Sequence, residues 1–233
     1  MSLTGEGDIR DWLNGRIDAG MSLGITSCAK ILERLGSPEK RFPCVHVAGT
    51  NGKGSLCAHL SSLGSKNGKL IGLFTSPHLV TVEERIRIDG SPISASELDY
   101  FLEKIRDASQ IEPQIFPTYF ETTFLASMIA FSEAGIDRAI VETGLGGRLD
   151  STILVNADYC AITTISRDHT EVLGESLYEI ALEKGGIYRK GIPLLCLHHE
   201  EETVREAIES IAGNDLEWLK INNSDAQELA KLF

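Results

Sequence analysis

Residues 45–60 read VHVAGTNGKGSLCAHL, and no other stretch restricts the fold as strongly. A β-branched run gives way to three glycines and a lysine, then to residues compatible with a helix. Glycine weakens both strands and helices, so Gly49, Gly52 and Gly54 are expected to serve a turn that needs their backbone freedom. A strand, a glycine turn and a helix N-terminus form an anion cradle. Backbone N–H groups converge there, and the helix dipole favours negative charge. Lys53 adds a full positive charge suited to the outer phosphates of a nucleotide. The spacing departs from the usual G-x-x-x-x-G-K-[ST] loop, because Gly54 follows the lysine and Ser55 comes only after it. A ligand-free structural turn is the alternative, and the helix-opening lysine argues against it.

The segments around this motif alternate. Residues 27–35 (SCAKILERL) predict a short helix stopped by Gly36 and Pro38. Residues 44–49 predict a strand, 53–65 a helix and 69–76 the next strand, a β-α-β unit with parallel strands. Helices are expected over 96–108, capped by Ser96, and over 119–134. Residues 138–143, 159–165 and 192–197 read as buried strands, with further helices near 176–189 and 201–212. This order predicts an α/β fold built on a doubly wound, mostly parallel sheet. Ligands of such sheets sit beyond the carboxyl ends of the strands. That singles out loops 49–55, 75–87, 142–150 and 166–170.

Charge narrows the partners. With 22 basic and 34 acidic residues the net charge is −12, which argues against nucleic acid or an anionic membrane surface. A local cradle can still be positive. No apolar run approaches a membrane span, and no secretory signal pattern opens the chain. Cys28, Cys44, Cys57, Cys160 and Cys196 lack any C-x-x-C spacing and read as small buried hydrophobes in a reducing, cytoplasmic compartment.

Three of the strand-end loops begin with oxygen or nitrogen donors. Ser76 lies in FTSPH with Pro77 stiffening the turn, Glu142 precedes a glycine-rich loop judged flexible, and Asp168 and His169 end another strand. Hydroxyl, carboxylate and imidazole together suit Mg²⁺ bridging nucleotide phosphates, although imidazole is the less common magnesium ligand. Each taken singly also fits a solvated loop residue.

The segments HVAGTNGKGS, TSPHLVTVEERIRIDG, TYFET, VETGLGGRLDST, DHTEVLGESLYEIALEKGGI and KGIPLL resemble, in this order, the folylpolyglutamate and dihydrofolate synthases of the Mur ligase group. The resemblance runs from about residue 24 to about 200, and Lys-Gly-Ser after the glycine turn is the form this family uses. It implies the central-domain fold of Mur ligases with its P-loop, spanning residues 1–233 with a helical lead-in over 1–40. ATP would be held by Thr50, Asn51, Gly52, Lys53, Gly54 and Ser55, and Mg²⁺ by Ser76, Glu142 and His169. Thr118, Tyr119, Phe120, Glu121, Leu149, Asp150 and Ser151 would line a pterin or folate site. Lys184 matches a lysine carried as a carbamate, and Lys53, Lys184 and His169 would be catalytic. Ile153 departs from the family, which has Asn there. Family members also continue into a C-terminal domain, so a truncated chain ending in the helical pattern SDAQELAKLF is expected.

The activity implied is ATP-dependent addition of L-glutamate to dihydropteroate or folate through an acyl phosphate, by a monomer with small-molecule partners. Arg85, Arg87 and Arg148 are candidates for a positive mouth that admits an acidic substrate. Another Mur-type amino-acid ligase and a nucleotide-binding module without turnover are the alternatives.

Overall fold

The computed structural model describes residues 8–17 and 24–220. The expected C-terminal helix over 224–233 lies outside the described residues. Two short helices lead in, α1 (Ile9–Asn14) and α2 (Thr26–Arg34). Then follow β1 (Cys44–Ala48), α3 (Lys53–Lys66), β2 (Ile71–Phe74), β3 (Ile86–Ile88), β4 (Ser91–Pro92), α4 (Ala95–Gln110), α5 (Tyr119–Ala134) and β5 (Arg138–Glu142). The second half adds β6 (Ala157–Ile162), α6 (Thr170–Leu173), α7 (Leu177–Gly185), β7 (Leu194–Leu197), α8 (Glu202–Ala212) and β8 (Leu216–Leu219).

The strands form one eight-stranded sheet in the order β4-β3-β2-β5-β1-β6-β7-β8. Pairing is parallel from β2 to β8, and β3 and β4 add an antiparallel edge. Strand side chains alternate between two cores. Val45, Val47, Ile140, Ala161 and Leu195 meet Cys57 and Leu60 of α3 on one face. Cys44, Ala48, Val141, Cys160 and Leu194 join the larger core on the other, built with α1, α2, α4, α5, α7 and α8. The chain leaves β1 toward β2 in one direction and later fills β6, β7 and β8 in the other, so β1 is the switch point. A crevice opens there between neighbouring strand ends.

The expected elements are present with shifted ends. The 96–108 helix begins one residue earlier, at Ala95, because Ser94 and not Ser96 forms the capping box with Glu97. Four short elements were not expected: β3, β4, α6 and β8. The edge pair β3–β4 begins at the end of the 75–87 loop, and strands of three and two residues carry no periodic signal. β8 follows a short 3₁₀ turn and pairs with β7. All five cysteines are free and buried, in agreement with their reading as small hydrophobes. No helix among the described residues is long and apolar enough to cross a membrane.

Candidate active site

The glycine turn after β1 has the strained backbone that its composition implies. Gly49 has φ 142°, and a Cβ there would lie 1.9 Å from Thr163 Oγ1. Gly52 caps α3 in the left-handed region at φ 84°, with no side-chain hydrogen bond to the leading N–H groups. That leaves the helix start as a site for an anion. The turn is braced from β6: Thr50 N–H donates to Thr164 O at 2.7 Å, and Thr50 Oγ1 donates to Ser166 O and accepts from Ser166 N–H. Thr50 therefore spends its side chain on holding the loop.

Lys53 reaches back along this turn, its Nζ 3.3 Å from Thr50 O and 3.9 Å from Glu142 Oε1. Glu142 ends β5 and is buried under the cradle. Its Oε2 accepts the Ser76 N–H at 3.1 Å. Burial raises its pKa, opposed by the Ser76 N–H and by Lys53. Lys184, at the end of α7, is also buried, and its Nζ donates to Gly49 O at 3.1 Å. Burial first, then repulsion from Lys53, hold its pKa down at about 8, against a smaller opposing pull from Asp168. Two lysines thus donate to consecutive carbonyls of the turn.

Two cavities meet at this point. One, of about 910 Å³, runs from Gly52, Gly54 and Ser55 along α3 and includes Glu142. The other, of about 870 Å³, is lined by all seven expected substrate residues, Thr118 to Glu121 and Leu149 to Ser151. Ser76 and Pro77 line both, across a cis peptide bond. His169 lines the second cavity only, half-exposed in the left-handed region, its Nε2 3.6 Å from Asp168 Oδ1. Ser76 and Glu142 are thus in contact, while His169 shares only the second cavity with Ser76. No cluster of three acidic, imidazole or thiol groups suited to a metal occurs among the described residues.

The polar residues of the second cavity hold one another. Thr118 and Glu121 form a capping box that starts α5: Thr118 N–H donates to Glu121 Oε2 at 2.8 Å, and Glu121 N–H to Thr118 Oγ1 at 3.2 Å. Asp150 accepts the N–H groups of Gly144 and Leu145 at 2.9 and 2.8 Å, and the hydroxyl of Thr152. Thr152 Oγ1 lies 2.8 Å from the buried His46 Nε2, whose charged form is suppressed by burial and by Arg189. The glycine-rich loop after β5, expected to be flexible, is therefore pinned and mostly buried. Tyr119, Phe120, Leu145 and Leu149 supply the apolar walls.

No family model matches the chain. Individual proteins do. The dihydrofolate synthase/folylpolyglutamate synthase of Bacillus subtilis (strain 168) is 39% identical over 202 residues, 85% of this chain and 47% of that protein. The solved structure of E. coli FolC in complex with DHPP and ADP has a TM-score of 0.83 at 33% identity, covering 93% of this chain and 52% of that one. The chain belongs to the folylpolyglutamate synthase/dihydrofolate synthase family. A third relative, a bifunctional folylpolyglutamate synthase/dihydrofolate synthase with Mn, AMPPNP and L-glutamate bound, has a TM-score of 0.80 at 31% identity, covering 94% of this chain and 53% of that one. The chain spans about half the length of the curated relatives it matches.

Ile153 packs on the main core, donates its N–H to Asp150 O at 3.0 Å and accepts from Arg189 at its carbonyl. Sequence reasoning missed His78, Asn14, Arg16 and Ile17 as cavity residues. Of the three arginines named for the mouth, Arg148 pairs with Glu183 at 2.6 Å and Arg87 lines the α3 groove. Arg85 alone lines the aromatic cavity.

Proposed function

We propose that this chain carries the nucleotide- and pterin-binding site of an ATP-dependent ligase that joins L-glutamate to a pteroate or folate carboxylate. One observation carries the reading: Ser76 lines both the phosphate cradle's groove and the aromatic cavity, with Glu142 against its backbone. A phosphate donor and a flat carboxylate-bearing acceptor can therefore meet at a single wall. ATP occupies the turn, its phosphates on the leading N–H groups of α3 and on Lys53. Thr50 and Asn51 hold the turn in shape, while Gly52, Gly54 and Ser55 let the phosphates approach the backbone.

The residues present fit a magnesium ion. Mg²⁺ takes one or two protein oxygens beside phosphates and waters, and Glu142 Oε1 has only Lys53 at 3.9 Å as a neighbouring charge. Ser76 and Glu142 would hold the ion, with His169 completing the set from the second cavity. Bound there, it would neutralise phosphate charge. In the first step a carboxylate oxygen of the pterin substrate attacks the γ-phosphorus and ADP leaves. In the second, the glutamate amine attacks the acyl carbon, phosphate departs and the nitrogen loses a proton. No side-chain nucleophile is required, and the chain's contribution is positioning and charge neutralisation.

Lys184 deepens this reading. A carbamate forms when an unprotonated amine attacks CO₂ and then releases a proton. A lysine with pKa about 8 supplies far more free amine at neutral pH than an ordinary one. The five free, buried cysteines suit a reducing cytoplasm, where a monomer would act on small molecules alone. Because the chain spans about half of its relatives, a second reading is kept: ligand binding with little turnover.

The test is calorimetric titration with Mg²⁺-AMPPNP and with dihydropteroate, followed by a mass-spectrometric assay for the glutamate amide. Both ligands are expected to bind. Product from the 233-residue chain is expected to lag the B. subtilis relative by orders of magnitude. Failure of both ligands to bind removes the proposed function, and equal turnover removes the second reading.

A further inference from the structure

Two arginines that line the aromatic cavity, Arg16 and Arg85, have no carboxylate partner among the described residues, and of these Arg85 is the more deeply buried. It is 8% exposed, yet no carboxylate lies within ion-pair distance of it among the described residues. Its Nε donates to His78 Nδ1 at 2.9 Å, and its guanidinium carbon stands 5.2 Å from the centre of the Tyr119 ring. Neither terminal nitrogen has a protein acceptor among the described residues, and the side chain lines the 870 Å³ cavity. The nearby acids are committed elsewhere. Glu121 holds Thr118 and Ser151, and Asp150 holds Gly144, Leu145 and Thr152.

A buried guanidinium is seldom left without an anion, since an uncompensated buried charge is costly. The fork is also held in advance. Glu84 gathers the N–H groups of Leu79, Val80 and Thr81 at 3.0, 3.1 and 3.0 Å, which fixes the loop that delivers Arg85. His78, accepting at Nδ1, sets the plane of the guanidinium from one side, and the Tyr119 face sets it from the other. The terminal nitrogens are left for a ligand, on a side chain that lines a cavity with aromatic walls. That geometry matches a carboxylate bidentately.

We propose that Arg85 is the carboxylate-recognising residue of this cavity, selecting a flat aromatic ligand that carries a carboxylate over its neutral counterpart. The proposal rests on the function proposed above, and places the acid group on the wall shared with Ser76. It assigns to Arg85 the discrimination between acid and amide, and to Tyr119, Phe120 and Leu149 the binding of the ring system.

The experiment compares dihydropteroate with its carboxamide, by calorimetry, on the wild-type chain and on Arg85→Gln and Arg85→Lys. Wild type is expected to bind the acid about 10- to 100-fold more tightly than the amide, the range of a charge-assisted pair. Arg85→Gln should bind the acid as weakly as the amide, with amide and Mg²⁺-AMPPNP affinities unchanged, which also reports that the variant is folded. Arg85→Lys should fall between, because it keeps the charge and loses the fork. If Arg85→Gln weakens acid and amide equally, Arg85 only packs the cavity, and the proposal falls while the function stands. If wild type binds neither compound, the cavity is not the pterin site and both readings fall together.

Discussion

Two glycine-rich loops leave neighbouring strands of the same sheet, and they use glycine for opposite ends. After β1, Gly49 and Gly52 adopt positive φ; a Cβ on Gly49 would lie 1.9 Å from Thr163 Oγ1, where the loop is braced, while one on Gly52, at the start of α3, would meet nothing within 4 Å. After β5, a Cβ on Gly147 would lie 2.8 Å from the backbone oxygens of Glu183 and Lys184, and one on Gly144 would lie 2.6 Å from the Phe120 ring. The first loop spends the Thr50 and Asn51 N–H groups on Thr164 and leaves the N–H groups that open α3 without a side-chain cap. The second gives up side-chain volume so that α7 and α5 can close on it. Glycine content alone therefore says little about mobility. What the missing Cβ would touch separates, glycine by glycine, the positions that pack from those left open.

Removing a charge from the first loop should sharpen the contrast most. Lys53→Ala is expected to weaken Mg²⁺-AMPPNP binding by at least about 100-fold, the scale of a lost charge-assisted contact to phosphate. The urea midpoint should barely move. Unchanged affinity by calorimetry would remove the cradle assignment.

Gly147→Ala attacks the second loop, and there the loss should be in stability. Overpacking against rigid backbone costs about 1–3 kcal/mol, so the denaturation midpoint should drop clearly. Nucleotide affinity of the folded fraction should persist. A midpoint equal to wild type would mean that the loop and α7 can separate without cost.

Gly52→Ala should cost less, about 1–2 kcal/mol for a left-handed alanine with free space around it. Its stability loss should come with a weaker nucleotide affinity, because the turn must relax to relieve φ. Were Gly52→Ala to lose more stability than Gly147→Ala, the division between open and packed positions would be wrong.

The remaining prediction is a pH dependence carried by Lys184, the residue that links the two loops. Its folded pKa of about 8 lies below the ordinary lysine value of 10.5. Between these values the unfolded chain binds the additional proton, so stability should rise with pH from about 8 toward 10.5. Below pH 8 the cost of the buried ammonium is fully present. Urea titrations in CO₂-free buffer should show this slope in wild type and a flatter one in Lys184→Met. An identical slope in both would place the titration elsewhere.

Much of this was legible beforehand. The alternation of apolar strand runs with helical periods implied a parallel α/β sheet, and strand ends then pointed to the loops that matter. TYFET carried its own local explanation, since Thr118 and Glu121 stand at capping-box spacing. The illegible parts were short or distant. β3 and β4 are too brief for a period, and His78 looked like a turn residue until Arg85 donated to it. The 142–150 loop read as flexible because its glycines are identical in sequence terms to those of the first.

By itself the sequence determined the order of elements, the phosphate turn and the residue types at each strand end. These are local properties, set by backbone freedom, side-chain branching and periods of two or 3.6 residues. Only the tertiary structure decided which groups share a site. Lys184 lies 135 residues from the Gly49 carbonyl it binds, and His46 lies 106 from Thr152. Burial, which depresses the Lys184 pKa and encloses Arg85 with no carboxylate beside it among the described residues, exists only once these distant segments close around one crevice. A charge acquires its chemistry from what excludes water around it, and that is a property of packing.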